Sequence, residues 1–463
     1  QEACFLLYGV YTEFVILSAF SMPLKHTRKR SLPMDNAAIL FGTMFILMFI
    51  GVPVVIAMLA ACVVLLISLG TYPLVLIPQR IMVSLDSFPM LAAPLFILAG
   101  ELMAGSSISK RLVDVVSVFL GKSRSGMGVV TIIACTIFAA LTGSGPATVA
   151  AIGAVMMPAL LKQGYDSGDA AGLIACGGTL GPIIPPSICM IVYACTMSQS
   201  VIYMFMGSVI PGLMIAAGLI VTNMVLCHRK NIQPIETHYT AKEVLRLVWK
   251  SLGVLATPVL VLGSIYGGIA TPTEAAVVAC VYSAALGFFY KDLNLKILLA
   301  IVRKSAAQSA VLSIILGAAG PFGWVLSATK VPTILTEAFI SYIPNPSIYL
   351  ALFTILLFIL GAIMYNIPVI CILGPVLIPV GVAMGLDPLH LGIVFCVNLI
   401  VGFVTPPFGT NLFAACATTG DSYANVVRGA VPYIIVEMVV VIILTYVPFF
   451  SLILPRLVYG YGG

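Results

Sequence analysis

The sequence predicts an all-α polytopic membrane protein made of two inverted repeats, and three observations support this prediction. Of the 463 residues, 61% are hydrophobic and only 8% are charged, whereas soluble domains carry about 25% charged residues. Glycine and proline interrupt several apolar runs in their interior. The same interruptions recur in the second half of the chain at a constant offset. The composition excludes a soluble fold.

The apolar runs predict the membrane elements in chain order. They are Phe5 to Phe20, Ala37 to Gly70 with a break at Gly51-Val52-Pro53, Leu91 to Met103, Val129 to Leu161, Ala170 to Met197, Met204 to Cys227, Leu252 to Tyr266, Ala275 to Tyr290, Ile297 to Leu316, Ile348 to Val380, Leu391 to Ala417 and Val431 to Leu454. The basic, amphipathic stretch Ser109 to Arg124 predicts a helix along the membrane surface. Four regions follow: an extra N-terminal transmembrane helix and basic loop (1–33), a first repeat (34–230), a cytoplasmic linker (231–250) and a second repeat (251–463).

Two of these runs are predicted to be re-entrant hairpins. Val129 to Leu161 is interrupted by TGSGPAT, from Thr142 to Thr148, so each limb has about 13 residues and a length of roughly 20 Å. The hydrocarbon core is about 30 Å thick, so neither limb can cross it. Ile348 to Val380 has the same form, with a tip around GAIMYNIP, from Gly361 to Pro368. The alternative for each run is one long kinked helix.

The two halves match when the chain is shifted by 221 positions. GAVMMPALLKQGYD, which begins at Gly153, then falls on GPVLIPVGVAMGLD, which begins at Gly374. At the same offset GPIIPPS, from Gly181, falls on GFVTPPF, from Gly402. Because a Pro-Pro pair breaks a helix, each half is predicted to hold a hairpin (129–161 or 348–380) followed by a broken helix (170–197 or 391–417).

The basic clusters predict the orientation. Lys25 to Arg30, Arg229-Lys230 and Arg303-Lys304 are interpreted as cytoplasmic loops under the positive-inside rule. The net charge of +6 on the whole chain therefore does not indicate a nucleic-acid partner. With this orientation the first hairpin opens to the cytoplasm and the second to the opposite side, so the repeats are inverted. Inverted repeats with broken helices that meet at the midplane are typical of secondary transporters, because broken backbone at that depth must line a cavity.

Neutral oxygen atoms at the tips and breaks favour sodium as the coupling ion. None of the sixteen acidic residues lies in a hairpin tip or Pro-Pro break, where a proton relay would need one. The four histidines, His26, His228, His238 and His390, all lie in loops or at segment ends. The tips and breaks instead carry Thr142, Ser144, Thr179, Asn366, Thr405 and backbone carbonyls. The alternative for each hydroxyl is helix capping or bonding to its own helix.

Other functions fit the sequence less well. Ser144 in TGSG lacks the neighbouring base that a serine nucleophile requires, so we expect no enzyme, no cofactor and no metal other than sodium. A channel does not require two hairpins that meet at one point. The eleven cysteines form no C-x-x-C pair and are interpreted as buried thiols. An ion-coupled organic-anion carrier that works without a binding protein remains an alternative.

Several ordered motifs resemble the large membrane subunit of TRAP transporters, the DctM type. They are PLFILAGELM from Pro94, GSGPATVAAIG from Gly143, LGPIIPPSICMIVY from Leu180, ATPTEAAVVACVYS from Ala270 and GFVTPPFGTNLF from Gly402. The resemblance runs from about Met34 to the C-terminus. It implies a sodium-coupled elevator importer of small organic acids in the bacterial inner membrane. It also implies two partners, a small membrane subunit of the DctQ type and a periplasmic substrate-binding protein.

The resemblance also implies site residues. The sodium sites fall on Thr142 and Ser144 with Gly181, Ile184 and Pro185, and on Gly361 with Gly402 and Thr405. This chain has Asn366 where the family often has an acidic residue. The polar, uncharged residues Ser187, Asn366, Asn398 and Asn411 are expected to bind the substrate, which could be a carboxylate, a sugar acid such as sialic acid or a small sulfonate. The first 33 residues resemble the connecting helix of fused small-large subunit proteins; whether a small subunit lay upstream is left open.

Overall fold

The computed structural model describes residues 33–121, 123–234 and 240–462, and these residues form helices joined by turns and short extended segments, with no strand among them. The extra N-terminal helix, the basic run Lys25 to Arg30 and His238 lie outside the described residues. In the described part of the chain, nine helices are long and apolar enough to cross a membrane. The number is ten if Leu76–Leu85 and Phe88–Ala104, which are bent by 63°, form one span. The predicted all-helical, multi-pass architecture is confirmed.

The helices are numbered here in chain order. They are α1 Pro33–Phe49, α2 Val54–Leu69, α3 Leu76–Leu85, α4 Ala92–Ala104, α5 Ile108–Leu120, α6 Gly126–Thr142, α7 Gly145–Gln163, α8 Ser167–Gly177, α9 Leu180–Ile183, α10 Ile188–Thr196, α11 Val201–Arg229, α12 Ala241–Tyr266, α13 Pro272–Phe289, α14 Leu295–Ala328, α15 Val331–Tyr342, α16 Pro346–Ile363, α17 Asn366–Ala383, α18 Pro388–Val401, α19 Thr410–Thr419, α20 Tyr423–Tyr446 and α21 Phe449–Tyr459. Short 3₁₀ turns at Phe88–Leu91 and Gly402–Val404 precede α4 and follow α18.

The helix boundaries repeat at the offset read from the sequence. Adding 221 to the bounds of α6 gives 347–363, and α16 covers Pro346–Ile363. Adding 221 to the bounds of α7 gives 366–384, and α17 covers Asn366–Ala383. The same shift carries α5 onto α15, α8 onto α18, α10 onto α19 and α11 onto α20 to within a few residues. Both halves therefore contain the same order of helices.

Each of the two hairpin runs is divided into two helices that pack against each other. Helix α6 ends at Thr142, and Gly143 follows in the left-handed conformation with φ +60°, which glycine adopts without steric cost. Ser144 is extended, and Pro146 lies in the first turn of α7, where a missing N–H is tolerated. The second run is divided at Met364 and Tyr365, which are also extended. Neither run is one long kinked helix.

The two broken helices form the centre of the molecule. Helix α8 leads into the single turn α9, and Ile184 is extended before the chain continues as α10. In the second half, α18 leads through Gly402–Val404 to Thr405, which is extended, and α19 begins five residues later. Residues 389–401 of α18 are all buried. The first break is buried from Gly181 to Ser187, whereas Pro406, Pro407 and Phe408 of the second break are exposed.

Salt bridges join the first of the central helices, α8, to the end of α11. The Lys230 ammonium, which follows α11, lies 2.8 Å from an Asp166 carboxylate oxygen and also contacts Asp169 at the start of α8. The hydrogen bonds that Lys230 donates to Asp166 and Asp169 raise the pKa of Lys230. The start of α8 is thereby tied to the end of α11, and the side chain is exposed, so we expect a contribution of about 1 kcal/mol or less.

The structure corrects the interpretation of Arg303-Lys304 as a loop. Both residues lie within α14, which has 34 residues and is much longer than the predicted run Ile297 to Leu316. The pair was mistaken for a loop because two adjacent charges interrupt an apolar run. Two further helices, α3 and α15, were not predicted as separate elements, and the run Val431 to Leu454 is divided between α20 and α21 at Val447-Pro448.

Candidate functional site

The first hairpin tip lies directly against the first helix break. A Cβ atom built on Gly181 would lie 2.6 Å from the Ser144 carbonyl oxygen. A Cβ atom on Gly143 would lie 2.5 Å from the Pro186 carbonyl oxygen. Such contacts require glycine. The structure therefore places Thr142 and Ser144 beside Gly181, with Ile184 and Pro185 in the adjoining extended segment.

Hydroxyl and carbonyl oxygens converge at this first tip. The Oγ1 atoms of Thr142 and Thr148 are 3.1 Å apart, and Thr148 Oγ1 donates to the Ser144 carbonyl at 2.8 Å. Thr142 Oγ1 is also 3.2 Å from the Phe138 carbonyl. The Ser144 side chain precedes α7 but makes no capping hydrogen bond. The tip therefore presents several neutral oxygens at one point.

The second tip and the second break form the equivalent contact. A Cβ atom on Gly402 would lie 2.3 Å from the Gly361 carbonyl carbon, so the two backbones touch. Phe408 N–H donates to the Ala362 carbonyl at 3.3 Å. Thr405 Oγ1 donates to the Val401 carbonyl at 3.1 Å. Gly361 and Gly402 are therefore brought together as the resemblance implies, and Thr405 lies three residues further along the break.

Two asparagines connect the repeats. The Asn411 side-chain amide donates to the Ala175 carbonyl at 3.3 Å, and a Cβ atom on Gly145 would lie 2.6 Å from Asn411 Oδ1. In the other direction, Asn366 Nδ2 lies 3.8 Å from the Cys189 sulfur. Gly145 and Asn366 occupy equivalent positions in the two repeats. Each half-helix after a break therefore contacts the hairpin of the opposite repeat.

Three of the predicted substrate residues have unsatisfied oxygens. The Oδ1 atoms of Asn366, Asn398 and Asn411 are buried and have no hydrogen-bond partner among the described residues. Buried polar atoms are almost always paired, so each such oxygen requires an explanation. Ser187 differs, because its hydroxyl donates to the Pro182 carbonyl and accepts from Met190 N–H at the start of α10.

A cavity of about 490 Å³ lies beside both hairpin tips. Thr142, Ser144 and Pro146 line it from the first hairpin, and Tyr365 and Ile367 line it from the second. Its volume is in the range of small-molecule sites. Of the twelve residues that the sequence assigned to sodium or substrate, Thr142 and Ser144 line this cavity. The other ten lie outside its lining, and their roles remain predictions.

The sequence argument did not identify the charged residues of this cavity. The Glu101 carboxylate on α4 accepts from Gln308 Nε2 at 2.9 Å and pairs with the Lys304 ammonium at 2.8 Å. All three side chains line the cavity. Lys304 and Gln308 are four residues apart in an apolar helix, so they lie on the same face of it. This spacing was the feature of the sequence that indicated a polar face on α14.

The structure also places a carboxylate next to the first break. Glu437 on α20 is fully buried, and its Oε1 atom lies 2.8 Å from Thr179 Oγ1, between α8 and α9. Glu437 lies far from the tips and Pro-Pro breaks in the sequence, so the prediction of neutral tips and breaks did not include an acid that a later helix supplies. A single acidic residue in the apolar run from Val431 was a visible signal, because such residues are costly and usually functional.

In the described part of the chain, no group of three or more histidine, cysteine or acidic side chains is arranged to hold a metal ion. The arrangement around the tips instead offers backbone carbonyls, hydroxyls and amide oxygens. Such neutral oxygens at half-helix ends are the ligands with which secondary transporters hold sodium.

Comparison with known proteins agrees with this geometry. A family model described as "Tripartite ATP-independent periplasmic transporter, DctM component" matches residues 41–450. The isethionate TRAP transporter permease protein DctMQ of Oleidesulfovibrio alaskensis is 35% identical over 415 residues, 89% of this chain, which spans only 65% of that protein. The C4-dicarboxylate TRAP transporter large permease protein DctM of Pseudomonas aeruginosa is 37% identical over 80% of this chain and 87% of its own length.

Solved structures show the same kind of fold. The YdaH transporter of Alcanivorax borkumensis superposes with a TM-score of 0.56 at 12% identity, over 83% of this chain and 88% of that one. MtrF of Neisseria gonorrhoeae superposes with a TM-score of 0.57 at 12% identity, over 83% of this chain and 85% of that one. The fold is thus a transporter fold, and the chain belongs to the DctM family of large membrane subunits of TRAP transporters.

Proposed function

We propose that this chain is the transport subunit of a sodium-coupled importer for small organic acids. Both hairpin tips line one cavity, and each tip contacts the helix break that follows it, which supports this proposal. Thr142 and Ser144 contribute both to the first tip and to the lining of the cavity. A coupling ion held at the tip is therefore within reach of a substrate in the cavity.

The chemistry of the tips favours sodium. The first proposed site combines Thr142, Ser144 and the backbone around Gly181 to Pro185, and the second combines Gly361, Gly402 and Thr405. Hydroxyl and carbonyl oxygens carry no net charge, which suits a monovalent cation held at unwound backbone. The unpartnered amide oxygens of the nearby asparagines add further neutral acceptors close to the same breaks.

The names of the relatives indicate the class of substrate. They refer to isethionate, C4-dicarboxylates, sialic acid and 2,3-diketo-L-gulonate, all small organic acids. For this chain we propose an acid of that size, delivered by a periplasmic binding protein, with a small membrane subunit of the DctQ type as second partner. Its other partners are the organic acid itself and membrane lipid. We propose that the protein lies in the bacterial inner membrane.

The repeat indicates the mode of transport. Each hairpin contacts its own broken helix and, through Asn366 or Asn411, the opposite repeat. The hairpins and broken helices thus form one contiguous body. We propose that this body moves as an elevator relative to α1 to α4 and α12 to α14, carrying the sodium sites and the substrate together.

Transport in proteoliposomes tests the proposal. The chain is reconstituted with a small membrane subunit and the soluble binding protein, and uptake of labelled isethionate, succinate and sialic acid is measured. We expect uptake with an inward sodium gradient and none with a proton gradient alone. Full uptake driven by protons in sodium-free buffer would contradict sodium coupling. Undiminished uptake without the soluble protein would instead support the alternative, a carrier that needs no binding protein.

A further inference from the structure

The cavity beside the hairpin tips contains one basic side chain, and that residue is Lys304. Among the residues that line this cavity, Glu101 is the only acidic one. The Lys304 side chain is 63% exposed, whereas the Glu101 side chain is 11% exposed. The carboxylate is therefore enclosed, and the ammonium group stands at the open side of the cavity.

Glu101 and Gln308 hold Lys304 in place without using up its hydrogen bonds. The two carboxylate oxygens of Glu101 are engaged separately, Oε1 by Gln308 and Oε2 by Lys304. An ammonium group has three N–H donors, and the described residues provide an acceptor for one of them. Two donors therefore remain available to a molecule in the cavity.

The backbone adds to the preference for an anion. Helices α7 and α17 both begin at this cavity, since Ser144 and Pro146 line it at one helix start and Tyr365 and Ile367 line it at the other. The N-terminus of a helix carries a partial positive charge and N–H groups without intrahelical partners. Lys304 and two helix starts thus face the same space.

We propose that Lys304 binds the anionic group of the substrate, and that the substrate is a small monoanionic organic acid, a carboxylate or a sulfonate. This inference rests on the proposed function and specifies its substrate class. One cation suits one anionic group. The other polar lining groups, the hydroxyls of Ser144 and Thr142 and the amide of Gln308, are neutral and suit hydroxyl or carbonyl groups. No second basic side chain lines the cavity to pair with the other carboxylate of a dicarboxylate, and that carboxylate would lie near Glu101.

The test measures ligand binding and does not depend on transport. The chain, co-purified with a small membrane subunit in sodium buffer, is titrated with glycolate, isethionate and succinate while its melting temperature is recorded. Glycolate and isethionate distinguish a carboxylate site from a sulfonate site, and succinate tests the number of charges. We expect at least one monoanion to stabilise the protein at lower concentration than succinate does. Succinate binding more tightly than both, or no stabilisation by any of the three, would overturn the proposal.

Substitutions separate anion binding from a purely structural salt bridge. We expect K304Q to weaken binding of the monoanion by roughly 10- to 100-fold, the effect of losing a charged hydrogen-bond donor, and K304R to retain binding. The matched control R303Q removes the same charge from an exposed neighbour outside the cavity lining, and its affinity should stay unchanged.

The partner of Lys304 provides the decisive comparison. E101Q breaks the same ion pair but leaves the ammonium in the cavity and removes a competing carboxylate, so the monoanion should bind as well as before or more tightly. If K304Q and E101Q weaken binding equally, the pair only joins α4 to α14 and the proposal fails. If binding depends on Lys304 but no sodium gradient drives uptake, the anion site stands and the proposed coupling fails.

Discussion

Ser144 lies at the tip in the first proposed sodium site and Thr405 at the break in the second, and the two hydroxyls make different hydrogen bonds. Ser144 occupies the N-cap position of α7, where a serine hydroxyl ordinarily accepts from the first turn, yet it makes no such bond. Thr405 Oγ1 donates to Val401, four residues earlier. This bond uses the hydrogen of the hydroxyl and leaves its lone pairs free. Capping therefore does not explain Ser144, and both oxygens can accept a cation.

S144A and T405A should therefore lower the affinity for sodium more than they lower the stability of the protein. Loss of one coordinating hydroxyl costs about 1–3 kcal/mol, so the half-saturating sodium concentration should rise roughly 5- to 150-fold while the melting temperature stays near that of the wild type. T419A is the matched control, because Thr419 makes the same bond to Ala415 outside the proposed sites. Unchanged sodium affinity together with lower stability would show that the two hydroxyls are structural.

The hydrogen bonds around Thr179 indicate whether the buried Glu437 carboxyl group is protonated. Thr179 Oγ1 lies 2.6 Å from the Cys176 carbonyl and 2.8 Å from Glu437 Oε1. The hydroxyl has one hydrogen and can donate to one of these oxygens. A carbonyl cannot donate in return, so both contacts are satisfied only if Glu437 donates to Thr179. We infer that Glu437 carries a proton in this conformation.

E437Q should therefore be tolerated, because a neutral amide can donate to Thr179 in the same way. We expect a melting temperature close to the wild type for E437Q, whereas E437A, which leaves a cavity, should lose about 2 kcal/mol or more. Infrared spectra should show the carbonyl stretch of a protonated carboxyl group in the wild type and its loss in E437Q. Severe destabilisation of E437Q, with no such band in the wild type, would mean that Glu437 is ionised.

At the scale of elements, each hairpin is held to its broken helix by a contact between backbones. Gly181 and Gly402 are equivalent positions in the two repeats, and each lies against the tip of the hairpin before it. A side chain at either position would push the hairpin away from the break. The position of each tip is therefore set by glycine and by the short connection between the paired helices.

G402A should separate the second hairpin from its break. The added methyl group would lie 2.3 Å from the Gly361 backbone, so we expect a loss of about 1–3 kcal/mol in stability and weaker sodium dependence of uptake. G263A is the control, because nothing lies within 4 Å of a Cβ atom at this position within α12. Alanine there should be neutral or stabilise by up to about 1 kcal/mol. Equal effects of the two substitutions would contradict the close contact.

At the scale of the whole molecule, the repeat relates two cavities. A second cavity, of about 640 Å³, is lined by Val83, Ser87 and Met90. Adding 221 to these positions gives Lys304, Gln308 and Val311, which line the cavity beside the tips. The Arg80 guanidinium also lines the second cavity, 5.2 Å from the centre of the Trp324 ring. In inverted repeats, equivalent positions face opposite sides of the membrane, so the two cavities should open to opposite sides.

Cysteine labelling tests this arrangement. S87C and Q308C are placed separately in a background where Cys4, Cys195 and Cys416 are changed to serine, since Cys195 lines the second cavity. An impermeant thiol reagent added to intact cells should label one of the two positions, and the other should react only after the membrane is opened. Labelling of both positions from the outside would contradict the inverted topology.

The sequence by itself determined the membrane class, the helical architecture, the offset of the repeat and the places where the helices break. These features are local, because apolar length, Gly-Ser-Gly-Pro and Pro-Pro dictate backbone geometry without reference to distant residues. The pairing of Gly361 with Gly402 was implied by the family resemblance, and the backbone contact between them agrees with it. The ligand roles assigned to the tip and break residues remain predictions.

Only the tertiary structure decided which charged groups reach the functional centre. Glu101 and Lys304 are 203 positions apart and Thr179 and Glu437 are 258 apart, and no local pattern reports such pairings. In each case an ionisable side chain in an apolar helix must find a polar partner, because leaving it unpaired in lipid is costly. The sequence shows that such a partner is needed, and helix packing determines which residue it is.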